Sequence, residues 1–153
     1  MIVIPESLMS FNKFITSYDG FAGITDRSID IPFSGFQTLA EGKVTAKIAC
    51  AALEGDVKLK GDQLLFKSSE AAKFSQLSNS FHDKTNVFNS SITIDNALFD
   101  KRYPNSQNTL GYDSFIMTID NPDNSVIGNN TIDATVRLKT SGDRFFMFFN
   151  AFG

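Results

Sequence analysis

The residues equipped for chemistry in this sequence are few and scattered. His82 is the single histidine and stands beside Asp83, with several serines nearby. A serine relay needs those residue types, because an imidazole must take the hydroxyl proton and a carboxylate must orient the ring. Adjacency in the chain does not bring such groups within hydrogen-bond reach, so the pair reads first as part of a solvated loop. Cys50 is the single cysteine. One cysteine and one histidine exclude an internal disulfide, a cysteine-rich zinc site and a multi-histidine metal centre. Cys50 also falls on the apolar side of an alternating run, which favours a buried, inert thiol. Asp120-Asn121-Pro122-Asp123-Asn124 offers oxygens of the kind calcium takes. It lacks the EF-hand spacing and reads as an Asx-Pro turn. Lys58, Lys60, Lys67 and Lys73 gather on or after one expected hairpin and read as a solvated face or a guarded edge. No catalytic motif emerges, so the reading is of a protein that is not an enzyme and has no cofactor or metal.

Composition narrows the classes further. The chain has 153 residues, a formal net charge of -3, 42% apolar residues and 20% charged ones. That length suits one domain over residues 1–153, with a core large enough to need no staple. An acidic balance suits nucleic-acid wrapping poorly, because that work needs a dense basic face. Met1-Ile2-Val3-Ile4-Pro5-Glu6 has no basic lead, and nothing approaches the roughly 20 apolar residues that span a bilayer. The expectation is a protein cytoplasmic at synthesis, with no membrane span.

The elements that must position any site are mostly strands. Ile2 to Ile4 reads as a short apolar strand or arm. Pro5 and Glu6 open an expected amphipathic helix whose stripe is Leu8, Phe11, Ile15 and Tyr18, ended by Asp19-Gly20. Ile29, Ile31 and Phe33 then alternate with polar partners, and Pro32 makes this an edge strand. Val44, Ala46, Ile48, Cys50 and Ala52 share one side of the next strand. Gly61-Asp62 reads as a tight hairpin turn joining Val57–Lys60 to Gln63–Lys67, and Ser68 to Phe74 as a short helical turn. The Ser/Asn-rich stretch 75–90 reads as a crossing between two sub-sheets. Strands follow over Ser91–Asp95, Tyr112–Asp120, Ile132–Lys139 and Arg144–Phe152, separated by turn signals. The fold class is mainly β: an antiparallel β-sandwich or barrel with one N-terminal amphipathic helix.

The C-terminal strand carries the strongest functional signal. The chain contains 16 Phe, 3 Tyr and no Trp. Phe145, Phe146, Met147, Phe148 and Phe149 run consecutively, and Phe152 follows. An antiparallel sheet that meets water on one side should be polar there, so a strand apolar on both sides needs cover. Cover can come from the N-terminal helix or from another subunit. These six residues, with Ile2 and Ile4, form the expected interface, and the partners are further copies or other structural subunits. The rings could instead line an apolar cavity for a lipid-like ligand.

Residues 43–77 resemble part of a DNA sliding-clamp domain. The resemblance runs through Lys43-Val44-Thr45-Ala46-Lys47-Ile48-Ala49-Cys50-Ala51-Ala52-Leu53, the Glu54-Gly55-Asp56 turn and Val57 to Ser69, with Phe74 and Leu77 beyond. It implies a replication accessory factor that closes as a ring around duplex DNA. In general style, with no motif, the chain also resembles small coat, tube or decoration subunits of viruses and phages. The leading expectation is a non-catalytic structural protein, possible as a virion component, that assembles through apolar contacts. The clamp-like factor and a hydrophobic-ligand barrel are the alternatives.

Overall fold

Period-2 alternation of apolar and polar residues sets the architecture. The computed structural model describes residues 13–153. Its strands are β1 (Thr16–Thr25), β2 (Ser28–Ser34), β3 (Lys47–Leu53), β4 (Gln63–Ser68), β5 (Ser75–Gln76), β6 (Ile92–Ile94), β7 (Ala97–Leu98), β8 (Tyr112–Thr118), β9 (Asp133–Lys139) and β10 (Arg144–Phe152). They form a six-stranded sheet in the order β1-β10-β3-β8-β6-β7 and a four-stranded sheet in the order β2-β9-β4-β5. Pairing is antiparallel throughout, except that β6 runs parallel to β8. The chain crosses between sheets after β1, β2, β3, β5, β8 and β9. The Ser/Asn-rich stretch supplies one of these crossings, leaving β5 in one sheet and entering β6 in the other.

The inner faces meet in one apolar cluster. Ile48, Cys50 and Ala52 of β3 face Leu64 and Phe66 of β4 across it, all buried. Phe152 is the hub at one end, with ring centroids 4.8 Å from Phe36, 5.3 Å from Phe66 and 6.0 Å from Phe33. Phe88 is the hub at the other, 4.4 Å from Phe145 and 5.8 Å from Phe115. Fully burying each such ring stabilises the fold by roughly 1.5–3 kcal/mol.

Five expectations are corrected. Both sheets are open, so the architecture is not a closed barrel. The expected helix does not reach Tyr18: Thr16–Tyr18 begin β1, and its earlier part lies outside the described residues. Thr, Ser and Tyr are weak helix formers, and β10 offers Thr16 to Asp19 a ladder. Tyr18 turns inward, its ring edge-on to Phe33 at 4.7 Å, while Phe14 and Ile15 are exposed and make no common stripe with it. Val57–Lys60 is a loop, so Gly61-Asp62 joins no hairpin. The backbone of Gly61 is committed elsewhere, donating to Thr85 O and accepting from Ser141 N. Ile132 precedes β9 and is exposed, and Ser68 to Phe74 forms a non-helical turn. As Pro32 demands, β2 is an edge strand, paired only with β9.

Candidate functional site

The residues that could have done chemistry prove to be structural. His82 is fully buried against the Phe115 ring. Its Nδ1 lies 2.6 Å from Val87 O and its Nε2 lies 2.7 Å from Thr93 Oγ1. A carbonyl can only accept, so Nδ1–H donates to it and Nε2 accepts from the Thr93 hydroxyl. Both nitrogens are thus occupied, and burial holds the imidazole below its ordinary pKa. Asp83 points to solvent and accepts from Thr85 N and Oγ1, so it does not orient the ring. The Cys50 thiol is buried, and desolvation pushes its pKa up, which keeps it protonated and inert.

The Asp120–Asn124 turn spends its amides on backbone. Asn121 donates to Val44 O and Ile127 O and accepts from Val126 N and Ile127 N. Asn124 accepts from Val44 N and donates to Gly42 O. The turn is a brace between two loops. Among the described residues no group of three or more His, Cys, Asp or Glu side chains could hold a metal ion.

What the fold assembles instead is a surface. In the four-stranded sheet the outer face is largely polar, as sandwich physics requires: Asp30 pairs with Arg137 at 2.6 Å, and the guanidinium covers the Phe74 ring at 4.0 Å. That hydrogen-bonded pair holds the Asp30 carboxyl below its ordinary pKa. Lys67 lies near the same ring, 5.9 Å away.

The six-stranded sheet breaks the rule. Its register aligns Gly23, Phe146, Leu53 and Tyr112 in one outward row. Ala151, Ala49, Ile116 and Ile94 form another. Between them lie Phe149, Ala51, Ser114 and Ile92. The aromatic centre is built by two irregularities. Phe148 is the extra residue of β10 between Met147 (opposite Ala52) and Phe149 (opposite Ala51). Gly20 and Phe21 of β1, between Asp19 and Ala22, stand opposite the single Phe148, so β1 bulges by one residue there. Bulges re-aim side chains. Here Phe21 stacks on Phe146, with centroids 5.4 Å apart and planes at 19°, and Phe148 lies 6.2 Å from the Tyr112 ring. Phe21 remains 69% exposed, and Leu53, Tyr112, Ile94 and Ile116 are all exposed. Together these side chains leave on the order of 500 Å² of apolar surface bare, the size of the largest and often functional patch on a monomeric protein. At one margin the Lys47 Nζ–Asp95 pair, 2.6 Å apart, closes the face, with Thr118 N and Oγ1 donating to the same carboxylate.

The expected interface therefore divides. Phe146, Phe148 and Phe149 lie on the outer face. Phe145, Met147 and Phe152 are buried in the core and are corrected from interface to core residues. Ile2 and Ile4 lie outside the described residues. Sequence reasoning missed Phe21, Leu53, Tyr112, Ile94 and Ile116. The outward alternation of Tyr112, Ser114 and Ile116 was a usable signal, whereas Phe21 was hidden by the helical reading of the residues before it.

A second unforeseen feature lies at one end of the sandwich. Asp62 and Asp113 are fully buried. Asp62 Oδ2 accepts from Phe88 N at 2.6 Å and Asp113 Oδ1 from Ser91 N at 3.1 Å, while the other oxygen of each has no partner. Burial pushes Asp113 up to about 7 and Asp62 up to about 6. Gly55 packs on Asp113 so closely that a Cβ would fall 1.9 Å from Oδ2. A broad open depression of about 790 Å³ lies beside Gly55, lined in part by Val57, Leu59 and Leu110. The two carboxyls serve as braces for the 86–91 segment.

No family model, no curated protein and no solved structure matches this chain. No helix among the described residues is long and apolar enough to cross a membrane.

Proposed function

We propose that this protein is a non-catalytic structural subunit that works by assembly, and that the outer face of the six-stranded sheet is the surface it assembles through. The observation that carries this reading is the contrast between the two outer faces. One is polar, with an Asp30–Arg137 pair. The other presents Phe21, Phe146, Phe148, Leu53, Tyr112 and Ile116 over four adjacent strands. Burying those side chains is worth several kcal/mol at about 25 cal/mol per Å², a driving force left unused in an isolated chain. Repeated symmetric contacts of this kind build rings, tubes and shells, and a β-sandwich subunit of a virion is the setting this reading favours.

The test is the mass in solution, by light scattering after size exclusion, over a range of concentrations. The expected result is a discrete multiple of the 16.9 kDa chain. Phe148→Asp is expected to release a folded monomer with an unchanged β-sheet circular dichroism spectrum. A wild-type chain that stays monomeric throughout, or a Phe148→Asp protein that keeps the wild-type mass, would overturn the reading.

A further inference from the structure

The partner of this face can be named from the face itself. We propose that it is a second copy of the same chain, docked sheet to sheet about a two-fold axis that crosses β10 at Phe146. This inference rests on the assembly reading above and specifies its first contact.

Three observations point to a copy rather than to an unrelated protein. The first is charge. β1 and β10 each carry one charged residue, Asp19 and Arg144, and both project on the outer face. The register sets Asp19 opposite Phe149 and Arg144 opposite Thr25, so the two lie at opposite ends of the β1–β10 pair. A two-fold axis in the plane of the interface and perpendicular to the strands reverses β10 over its counterpart. It brings the Arg144 level of one copy over the Phe149 level of the other, where Asp19 stands. Each copy thereby supplies both partners of two equivalent ion pairs, as an isologous contact requires. Of the charges on this face only these two lie on β1 and β10, and placed this way they meet no like charge along those strands.

The second observation is shape. Sheets pack face to face about 10 Å apart with strands within about 30° of each other, and side chains of the two faces interdigitate. Phe146 lies on the axis and Phe148 beside it, so the largest side chains of the two faces meet at the centre of the contact. The third observation is area. The apolar patch, on the order of 500 Å², is close to the ~600 Å² per partner at the small end of stable interfaces.

The test uses full-length protein and sedimentation equilibrium. Asp19→Arg and Arg144→Asp are each expected to weaken the dimer about tenfold, and the double reversal to return its dissociation constant to within about threefold of wild type. Variants that all associate as tightly as wild type, or a double reversal no tighter than the weaker single, would overturn this geometry while leaving the assembly reading intact. A wild-type monomer at every concentration would overturn both. In that case, an apolar dye that binds only after residues 1–12 are deleted would assign the face to the chain's own N-terminal segment.

Discussion

The Phe146 ring lies directly over Gly23 across the β1–β10 ladder: a Cβ at residue 23 would fall 3.2 Å from Phe146 Cε1. Glycine in a strand is usually a weakness, and a cross-strand aromatic that covers it removes much of the cost. The absent side chain also lets Phe146 lie flat enough to stack on Phe21. Gly23→Val is therefore expected to lift the ring, break the stack and lower stability by about 1–2 kcal/mol. A denaturant titration measures the stability, and the mass in solution measures the accompanying loss of self-association. A variant as stable and as associated as wild type would show that the close approach is incidental.

Neighbouring phenylalanines on β10 should behave in opposite ways. Phe145 is fully buried and stacks on Phe88 at 4.4 Å, so Phe145→Ala leaves a cavity and is expected to cost about 3–5 kcal/mol. Phe148 lies on the outer face, so Phe148→Ala is expected to cost the isolated chain under about 1 kcal/mol while weakening assembly. Thermal melts at dilution, where association is absent, separate the two. Equal losses of stability would place both rings in the core.

This division between neighbouring residues marks the limit of what the sequence disclosed. Alternation was legible in β3, β8 and β9, because each buries one side against the core and period 2 follows. The edge position of β2 was legible from Pro32. Strict alternation along β10 would have put Phe145, Met147 and Phe149 together. The extra residue Phe148 shifts the parity, so Phe149 faces out and Asn150 faces in. A bulge leaves no mark in a run of similar apolar residues. Ile15 and Tyr18 fall at helical spacing, and it is the β10 ladder that makes Tyr18 a strand residue. Asp62 gave no sign of its burial: its partner is Phe88 N, 26 residues away, and local turn chemistry pointed to solvent.

Asn150 is a residue whose replacement should help. It is 1% exposed, faces the core opposite Tyr18 and Cys50, and neither its Oδ1 nor its Nδ2 has a hydrogen-bond partner. An unsatisfied buried amide costs about 1–3 kcal/mol. Asn150→Val removes both polar atoms and suits a strand, so a gain of about 1–2 kcal/mol is expected in denaturant titration. A loss of stability would show that the amide has a partner in solution, such as an ordered water.

The buried acids predict an unusual pH response. Because burial raises the pKa of Asp113 to about 7 and of Asp62 to about 6, the folded chain holds protons that the unfolded chain releases near the ordinary carboxyl value of 3.8. Their contribution is fully present below about pH 4 and is lost as pH rises through 6 and 7. Asp113 alone corresponds to on the order of 4 kcal/mol, or roughly 10 °C in melting temperature for a chain of this size. His82 acts in the opposite sense. Its imidazole is kept neutral by burial, so stability is lost as pH falls through the unfolded value of 6.5. Wild-type stability should therefore fall between about pH 4 and 7, most steeply below pH 6 where both acids contribute against His82, and level off above pH 7. Asp113→Asn keeps the acceptor for Ser91 N and cannot ionise. The difference in melting temperature between that variant and wild type should widen from pH 4 to pH 7 in favour of the variant and hold constant above it, and a pH-independent difference would show that Asp113 is charged in the fold across this range.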